Sequence, residues 1–220
     1  DDVETFSKDI QYKNKKQADD LLVHKACSVS GEVLHWLADN HGQQFDLIDS
    51  FLYPGHSVHR MHCHPKRTGK ALIDSLVTAV DKAGIDIMNS ATVTDIFASK
   101  TSNIRGIRIL RPDGSTEDIG CDSLILACNG FGGNSSMVSK YIPEMANAMY
   151  FGHPGNLGDA VNWGVELGAA IKNMGAYQGH GSVAIPHGAL ITWAIMMEGG
   201  IQLNSTGRRF SNEQEGYAEQ

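Results

Sequence analysis

The strongest candidate for chemistry in this sequence is a glycine-rich turn that directly follows an apolar run. The run occupies residues 123–128 (SLILAC), and the turn occupies residues 129–134 (NGFGGN). Glycines at the C-terminal end of a strand let backbone N–H groups approach a ligand without an intervening Cβ, and ligands bind at that edge of open α/β sheets. A plain strand-to-helix turn explains the same residues, so the turn alone favours neither interpretation.

A second candidate is a group of histidines in a polar stretch. Its members are His56, His59, His62 and His64, with Cys63 among them. Imidazole and thiolate groups bind zinc, but the spacing here matches no structural zinc motif. The sequence therefore favours histidines on a polar loop that lines a cleft, and we predict no metal site.

The fingerprint that binds dinucleotide phosphates is absent from the chain. That fingerprint is G-x-G-x-x-G at the start of a helix. Gly152, Gly155 and Gly158 have a different spacing, and no Walker lysine follows a glycine pair. The residues by themselves therefore reveal no phosphate-binding loop.

Alternating helices and strands must position the glycine-rich turn. Apolar spacing predicts helical structure at residues 18–26, a helix over residues 31–41 with Ser30 as the N-cap, and a helix through residues 72–80 with Gly84 as the stop. The predicted strands are residues 85–88, 91–97, 104–111 and 116–120. Residues 123–128 are predicted to form a parallel strand that is buried on both faces, so that Cys128 is buried as well. The later predicted helices are residues 135–142 and 159–170.

The last fifty residues lose this alternation and gain Met, Trp and Gly. We predict a domain boundary near Gly175. Residues 199–213 are typical of a hairpin with an Asn-x-x-Gly turn and a salt-bridged corner. That segment by itself indicates no chemistry.

Composition narrows the class of protein. The chain has 220 residues, of which 41% are hydrophobic, and a formal net charge of −7. The acidic balance argues against nucleic acid or an anionic membrane surface as a partner, and no apolar stretch is long enough to span a bilayer. The four cysteines are scattered without a CxxC pair. We therefore expect a reducing, cytoplasmic compartment.

Four segments taken together resemble the flavoprotein family of fumarate reductases, succinate dehydrogenases and 3-ketosteroid dehydrogenases. Residues 124–131 (LILACNGF) are similar to the family's ILATGGF, with Cys128 and Asn129 in place of Thr and Gly. Residues 156–160 (NLGDA) resemble NTGDG, residues 200–213 resemble GGILVNxxGxRFxNE, and the helix–strand unit of residues 67–97 is the fourth segment. The resemblance extends from about Trp36 to Tyr217.

The resemblance implies an α/β fold: part of a Rossmann-type FAD-binding domain over residues 1–174, followed by the start of an α+β capping domain over residues 175–220. The cofactor that it implies is FAD. The residues that it places along the cofactor are Val93, Ala127, Cys128, Asn129, Gly130, Asn156, Gly158 and Asp159.

For catalysis, the resemblance implies an FAD-dependent oxidoreductase that acts on a carbon–carbon bond next to a carbonyl or carboxylate. His180 lies where fumarate reductases place a histidine that binds the substrate carboxylate. Tyr217 lies where they place a proton-donating arginine, and where ketosteroid dehydrogenases place a catalytic tyrosine. Trp193 and Met196 replace a charged pair of the fumarate reductase proton relay, so a less charged substrate than fumarate is expected.

The family's N-terminal G-x-G-x-x-G and its C-terminal flavin segment are expected to lie outside residues 1–220. The chain by itself is therefore expected to bind FAD weakly or not at all and to be inactive. We expect a small-molecule substrate, and the sequence does not define an electron-transfer partner or an oligomeric state. The alternative functions are a non-catalytic binding or assembly module and, after it, a histidine-cluster metalloprotein.

Overall fold

The structure is a computed structural model that describes residues 1–99, 103–180, 183–213 and 215, except for the side chain of Met197. Its α-helices are α1 Val3–Lys13, α2 Asp20–His41, α3 Gly69–Lys82, α4 Ser135–Tyr141, α5 Asp159–Glu166 and α6 Ala194–Met197, and Pro143–Met145 form a 3₁₀ turn. Its strands are β1 Asp46–Leu47, β2 His62–Cys63, β3 Thr92–Ala98, β4 Ile104–Leu110, β5 Thr116–Gly120, β6 Val183–Ala184 and β7 Ala189–Leu190.

The chain divides into two compact units. One comprises Asp1–Asp86 and Gly179–Gln220, and the other comprises Ile87–Gln178. The second unit contains every residue that the sequence predicts along the cofactor. The boundary near Gly175 between a flavin domain and a capping domain stays a prediction.

In the first unit, α2 continues without a break from Asp20 to His41, whereas the apolar spacing predicts helical structure at residues 18–26 and a separate helix after Ser30. Asp19 is the N-cap, since its side chain accepts hydrogen bonds from the backbone N–H groups of Leu21 and Leu22. The predicted N-cap, Ser30, lies inside the helix, where its hydroxyl donates to the carbonyl of Cys27. A serine can satisfy its hydroxyl on the preceding turn in this way, so it need not end a helix. Gly42 ends α2 in the left-handed conformation, as predicted.

An arginine with little solvent exposure connects α1 to the loop that follows β1. Arg60 Nε lies 2.5 Å from Asp1 Oδ2, Arg60 Nη1 lies 2.6 Å from Asp9 Oδ2, and only 7% of the arginine side chain is exposed. The guanidinium also lies over the ring of Phe6, 4.5 Å from its centroid. Asp9 accepts two further hydrogen bonds from Ser57. The paired charges satisfy one another, so the loop is held on α1.

Helix α3 confirms the prediction through residues 72–80. Thr68 caps its N-terminus by accepting a hydrogen bond from the N–H of Ala71. Gln43, which is buried, joins the end of α2 to α3, because its amide nitrogen donates to the carbonyl of Ser75 and its amide oxygen accepts from the Ser75 hydroxyl.

The second unit is built on a three-stranded antiparallel sheet in the order β3-β4-β5. The predicted hairpin at residues 104–120 is confirmed, with Leu110 paired to Thr116 across its turn. Ile109 on the central strand is almost fully buried. The pairing of β3 with β4 shifts register between Val93 and Asp95, which indicates a bulge at Thr94.

Two predicted strands are wrong. Residues 85–88 and residues 123–128 have no regular secondary structure, and Ile125 is 89% exposed. The predicted burial of Cys128 is wrong as well, because its side chain is exposed. A parallel strand buried on both faces needs a hydrogen-bonded neighbour on each side. No strand among the described residues pairs with either segment, so their apolar side chains face solvent.

The helices after the sheet follow the sequence more closely. Asn134 caps α4 by accepting a hydrogen bond from the N–H of Met137. Helix α5 begins at Asp159 as predicted but stops at Glu166, short of residue 170. Gly168 has a φ of +86°, a left-handed conformation that ends a helix.

The stretch after residue 182 consists of short elements. Strands β6 and β7 pair with each other, and Leu203 forms an isolated bridge with Arg209. Arg209 and Glu213 form an ion pair, so the predicted hairpin with a salt-bridged corner is confirmed. Trp193 and Met196 are both core residues of this stretch. In the described part of the chain, no helix has the length and hydropathy needed to cross a membrane.

Candidate cofactor site

Two loops of the second unit form the candidate site, and backbone hydrogen bonds join them. The first loop is residues 127–134 and the second is residues 151–158; together we call them the paired loops. The N–H of Gly158 donates to the carbonyl of Gly130 at 3.1 Å, and the N–H of Gly133 donates to the carbonyl of Asn156 at 2.9 Å. The predicted residues Gly130, Asn156 and Gly158 therefore come together, although 26 or more positions separate the first from the others.

The close approach of the two loops requires glycine at two positions. A Cβ on Gly133 would lie 2.8 Å from the carbonyl oxygen of Pro154. Gly158 is buried with a φ of +87°, and a Cβ there would lie 2.9 Å from the Cβ of Phe131 in the first loop. Side chains would separate the loops, so these glycines serve packing between loops as well as any approach to a ligand.

The other side of the first loop is open. Residues 127–130 are exposed, and an added Cβ at Gly130 would meet no atom within 4 Å. Hydrogen bonds to the second loop hold Gly130 and Gly133, while residues 127–130 remain exposed. An exposed glycine in a fixed turn lets a bound group such as FAD approach the backbone directly.

Asn129 gives a structural reason for a departure from the family motif. Its φ of +58° is in the left-handed region. Glycine, which the resembling motif has at this position, adopts that region without strain, and asparagine tolerates it better than most residues. The replacement therefore keeps the turn and adds an exposed amide to it.

Asn156 has a hydrogen-bond partner within the protein, and Asp159 lies at the start of a helix. The Asn156 amide nitrogen donates to the Tyr150 hydroxyl at 2.6 Å. Asp159 is half-buried and is the first residue of α5. A carboxylate in the first turn of a helix is stabilised by the partial positive charge there. Asp159 therefore stabilises α5 by its position, and its contact with the cofactor stays a prediction.

Val93 is the predicted cofactor residue that lies apart from the paired loops. It is half-buried in β3, paired with Ile109, directly before the bulge at Thr94. The hydrogen bonds that join the paired loops involve neither Val93 nor its neighbours. Bulges are common next to functional sites, but this one does not test the predicted contact with adenine.

Neither predicted catalytic residue is among the residues of the paired loops. His180 is half-buried and belongs to the first unit. Tyr217 lies outside the described residues. Trp193 is 2% exposed and Met196 is also buried, so both contribute to the core. The expectation that these two side chains favour a less charged substrate stays a prediction.

Near the C-terminus, the structure shows a buried carboxylate that the sequence does not reveal. Glu213 is 3% exposed, pairs with Arg209, and accepts a hydrogen bond from the N–H of Gln202 at 2.7 Å. The hydrogen bonds from Arg209 and then from Gln202 lower the pKa of Glu213 from 4.5 to about 2. The spacing of Arg209 and Glu213 was the available signal, but it indicates an ion pair and not burial.

The histidine group does not converge. His62 Nδ1 lies 2.9 Å from the carbonyl oxygen of Arg60, and His64 Nδ1 accepts from the N–H of Lys66. Burial and the positive charge of Arg60 lower the pKa of His56 from its usual 6.5. Among the residues that the structure describes, no three His, Cys, Asp or Glu side chains are arranged to hold a metal ion.

Comparison with known proteins identifies related sequences along the whole chain. Residues 1–219 match the family model described as FAD binding domain. The chain is 30% identical over 197 residues to an NADH:fumarate oxidoreductase of Klebsiella pneumoniae (strain 342), covering 88% of this chain and 21% of that protein. It is 28% identical over 200 residues to a fumarate reductase (cytochrome) of Shewanella frigidimarina, covering 89% of this chain and 34% of that protein.

The chain thus spans between about a fifth and a third of the length of these two relatives. A urocanate reductase of Eggerthella lenta is 26% identical over 220 residues, covering 98% of this chain and 36% of that protein. The resemblance to the fumarate reductase flavoproteins is therefore confirmed.

Solved structures confirm the fold. The open conformation of a flavocytochrome c3 fumarate reductase superposes with a TM-score of 0.84 at 27% identity, over 99% of this chain and 38% of that chain. A 3-ketosteroid-Δ4-(5α)-dehydrogenase of Rhodococcus jostii RHA1 gives a TM-score of 0.76 at 19% identity, over 100% of this chain and 50% of that chain. The second similarity is one of fold alone.

Proposed function

Since the chain belongs to the FAD binding domain family, we propose that it is part of an FAD-dependent oxidoreductase acting on a carbon–carbon bond next to a carbonyl or carboxylate. The match over residues 1–219 is the observation on which this rests. The paired loops support it, because their open face fits the cofactor that the family binds.

The first loop would hold the cofactor through its backbone. Ala127, Cys128, Asn129 and Gly130 present exposed backbone, and hydrogen bonds to the second loop keep that surface in place. Asn156, Gly158 and Asp159 would support the same surface from the second loop and the start of α5. When bound, FAD exchanges hydride with the substrate through its flavin ring.

A side chain must then move the proton. We assign this to Tyr217, which has the position of the catalytic tyrosine in the ketosteroid dehydrogenases that the sequence resembles. A free phenol has a pKa near 10, so a tyrosine that works as a base near neutral pH needs a stabilised phenolate. His180 would bind or polarise the carbonyl or carboxylate, as an imidazole can donate a hydrogen bond to either.

The substrate is a small molecule, and the names of relatives define a panel to test. They include reductases named for fumarate, acrylate and urocanate, and a dehydrogenase solved with 4-androstene-3,17-dione. Three residues argue against fumarate: Tyr217, and Trp193 and Met196, which stand in place of the charged pair of the fumarate reductases. The proposed substrate therefore carries an activated carbon–carbon bond, and turnover of the panel compounds identifies it further.

We also propose a reducing, cytoplasmic compartment. All four cysteines are free, and three of them are exposed or half-exposed thiols. Structural disulfides are the rule for cysteines in oxidising compartments.

The decisive experiment uses the full-length protein that contains residues 1–220, and it measures the flavin content and the turnover of that protein with the four compounds of the panel. Reduced viologen serves as donor for the three acids, and a dye serves as acceptor for the steroid. We expect bound FAD in the wild-type protein and turnover of at least one compound. A purified protein without flavin that also fails to bind added FAD would contradict the proposed function.

Tyr217→Phe tests the proton role. Turnover should fall by about 100-fold or more, while the flavin spectrum stays unchanged, because a missing proton donor slows only the chemical step. Tyr177→Phe makes the same change at an exposed tyrosine and should leave turnover unchanged. Equal turnover in the wild-type and Tyr217→Phe proteins would remove Tyr217 from the mechanism.

A further inference from the structure

Residues 129–130 are the one Asn-Gly dipeptide of the sequence. Asparagine is a thermally labile residue, because the backbone nitrogen of the next residue can attack its side-chain carbonyl carbon. A glycine in the next position leaves that nitrogen without a neighbouring Cβ. The resembling motif has two glycines here, so the replacement of the first one by Asn129 creates a labile dipeptide that the motif lacks.

Both groups that would react are exposed. Asn129 and Gly130 are exposed residues, and a Cβ added to Gly130 would meet no atom within 4 Å. Among the described residues, no group forms a hydrogen bond with the Asn129 side chain or with the N–H of Gly130. The attacking nitrogen and the carbon that it attacks are therefore not protected by other parts of the described chain.

The other asparagines of the paired loops are held by hydrogen bonds. The Asn134 amide nitrogen donates to the carbonyl of Leu157 at 3.0 Å, and its amide oxygen accepts from a backbone N–H of α4 at 3.1 Å. The Asn156 amide nitrogen donates to the Tyr150 hydroxyl at 2.6 Å. Asn129 therefore differs from both neighbours in having a side chain free to rotate towards the backbone.

Asn173 is an internal reference for the effect of the following residue. Its φ is +57°, against +58° at Asn129, and it is exposed as well. It is followed by Met174, however, and the Cβ of that residue crowds the attacking nitrogen. The two asparagines thus share backbone φ and exposure, and they differ in the residue that follows.

We propose that Asn129 is a site of spontaneous modification, at which its side chain forms a cyclic imide with Gly130. The Gly130 nitrogen bonds to Asn129 Cγ, and the bond between Cγ and Nδ2 breaks. The Nδ2 group leaves as ammonia together with the proton of the Gly130 N–H. Water then opens the ring at one of its two carbonyl carbons, which leaves aspartate or isoaspartate. The sequence of steps consumes water alone and changes no oxidation state.

Both products would alter the surface that is proposed to hold the cofactor. Each adds a negative charge to the exposed turn, and FAD carries an anionic pyrophosphate, so repulsion should weaken its binding. Isoaspartate also lengthens the backbone by one carbon directly before Gly130, whose carbonyl accepts from the N–H of Gly158 at 3.1 Å. Bound FAD should in turn cover the turn and slow the reaction, an effect that rests on the proposed function.

The first test incubates the full-length protein that contains residues 1–220, freed of flavin, at mildly alkaline pH. Mass spectrometry of its proteolytic peptides measures the conversion of amide to carboxyl at Asn129 and at Asn173 in the same sample. We expect conversion to be faster at Asn129 by about tenfold or more, which corresponds to a difference in barrier of about 1.4 kcal/mol. Isoaspartyl methyltransferase with S-adenosylmethionine should label the peptide that contains Asn129. Equal rates at the two asparagines would overturn the proposal.

Two substitutions exchange the following residue between the two positions. Gly130→Ala adds a Cβ in open space at a φ that is not positive, so the chain accommodates it, and the rate at Asn129 should fall to that at Asn173. Met174→Gly should raise the rate at Asn173 towards that at Asn129. An unchanged rate at Asn129 in Gly130→Ala contradicts the proposed reaction.

Incubation with FAD distinguishes this inference from the proposed function. Bound FAD should slow conversion at Asn129 and leave the rate at Asn173 unchanged. If the protein binds no FAD, the proposed function fails, and the comparison of Asn129 with Asn173 still decides whether the modification occurs. If FAD binds without slowing conversion at Asn129, the flavoprotein function stands and the protection of this turn by the cofactor is wrong.

Discussion

At the scale of single residues, Asn129 shows that backbone conformation constrains the candidate site more than side-chain identity does. A φ of +58° is energetically unfavourable for most residue types, but glycine and asparagine adopt it at little cost in free energy. The sequence departs from the resembling motif at this position, and the departure is one that the conformation allows. The exposed turn therefore keeps its shape without its glycine.

The conformation of Asn129 predicts an asymmetric response to substitution. Asn129→Gly should change the free energy of unfolding by less than about 1 kcal/mol, whereas Asn129→Val should lower it by about 1–3 kcal/mol, because a β-branched side chain resists the left-handed region. Urea unfolding measures both values. Asn147→Val, at an exposed asparagine whose φ is not positive, is the control and should be nearly neutral. Equal losses at both positions would contradict the backbone argument.

Individual site residues differ in how well the sequence predicts them. Gly130, Asn156 and Gly158 belong to short motifs, so their proximity could be expected before the structure was known. Lys13 Nζ donates a hydrogen bond to the carbonyl oxygen of Glu215, 202 positions along the chain, and neither residue lies in a motif that indicates this contact. Local patterns report on neighbours within a few residues, so a contact of this kind has no signal in a single sequence.

At the scale of elements, the same limit explains the strands that were wrong. The hairpin of β4 and β5 could be predicted because its partners are adjacent and its turn residues are diagnostic. Residues 123–128 have the composition of a buried strand, but a strand forms only where another strand offers hydrogen bonds. Apolar composition indicates that a segment would be stable when buried, but it does not supply the neighbouring strand with which the segment would pair.

The C-terminal hairpin should be sensitive to acid. The pKa of Glu213 is about 2 in the folded chain against 4.5 in the unfolded one, so its ion pair stabilises the fold above pH 4.5. That contribution is lost as the pH falls from 4.5 towards 2. Thermal unfolding between pH 6 and pH 2 should therefore show a smaller decrease of Tm in Glu213→Gln than in the wild-type chain. Parallel pH dependences in the two proteins would contradict the low pKa.

At the scale of the whole molecule, the described chain exposes many large apolar side chains. Soluble monomers rarely leave extended apolar patches uncovered. The examples with the greatest exposure lie on different elements of both units: Tyr12, Leu21, Leu22, Phe210, Ile125 and Ile185.

This exposure predicts that the 220-residue chain binds the apolar dye ANS. The doubly substituted Ile125→Ser, Leu126→Ser chain should give weaker ANS fluorescence than the wild-type chain, because both side chains are exposed and neither belongs to the core. Ser123→Asn exchanges one polar residue for another in the same segment and should leave the fluorescence unchanged. Equal fluorescence in all three chains would show that the segment is covered in solution.

The contact between Lys13 and Glu215 also orders events in time. Closing a loop of about 200 residues has a high entropic cost, and contacts of large sequence separation slow folding. A ribosome makes α1 about 200 residues before it makes residue 215, so the helix must wait for its partner while those residues are synthesised. This hydrogen bond can form only after residue 215 has been made, so a chain interrupted before that residue lacks it.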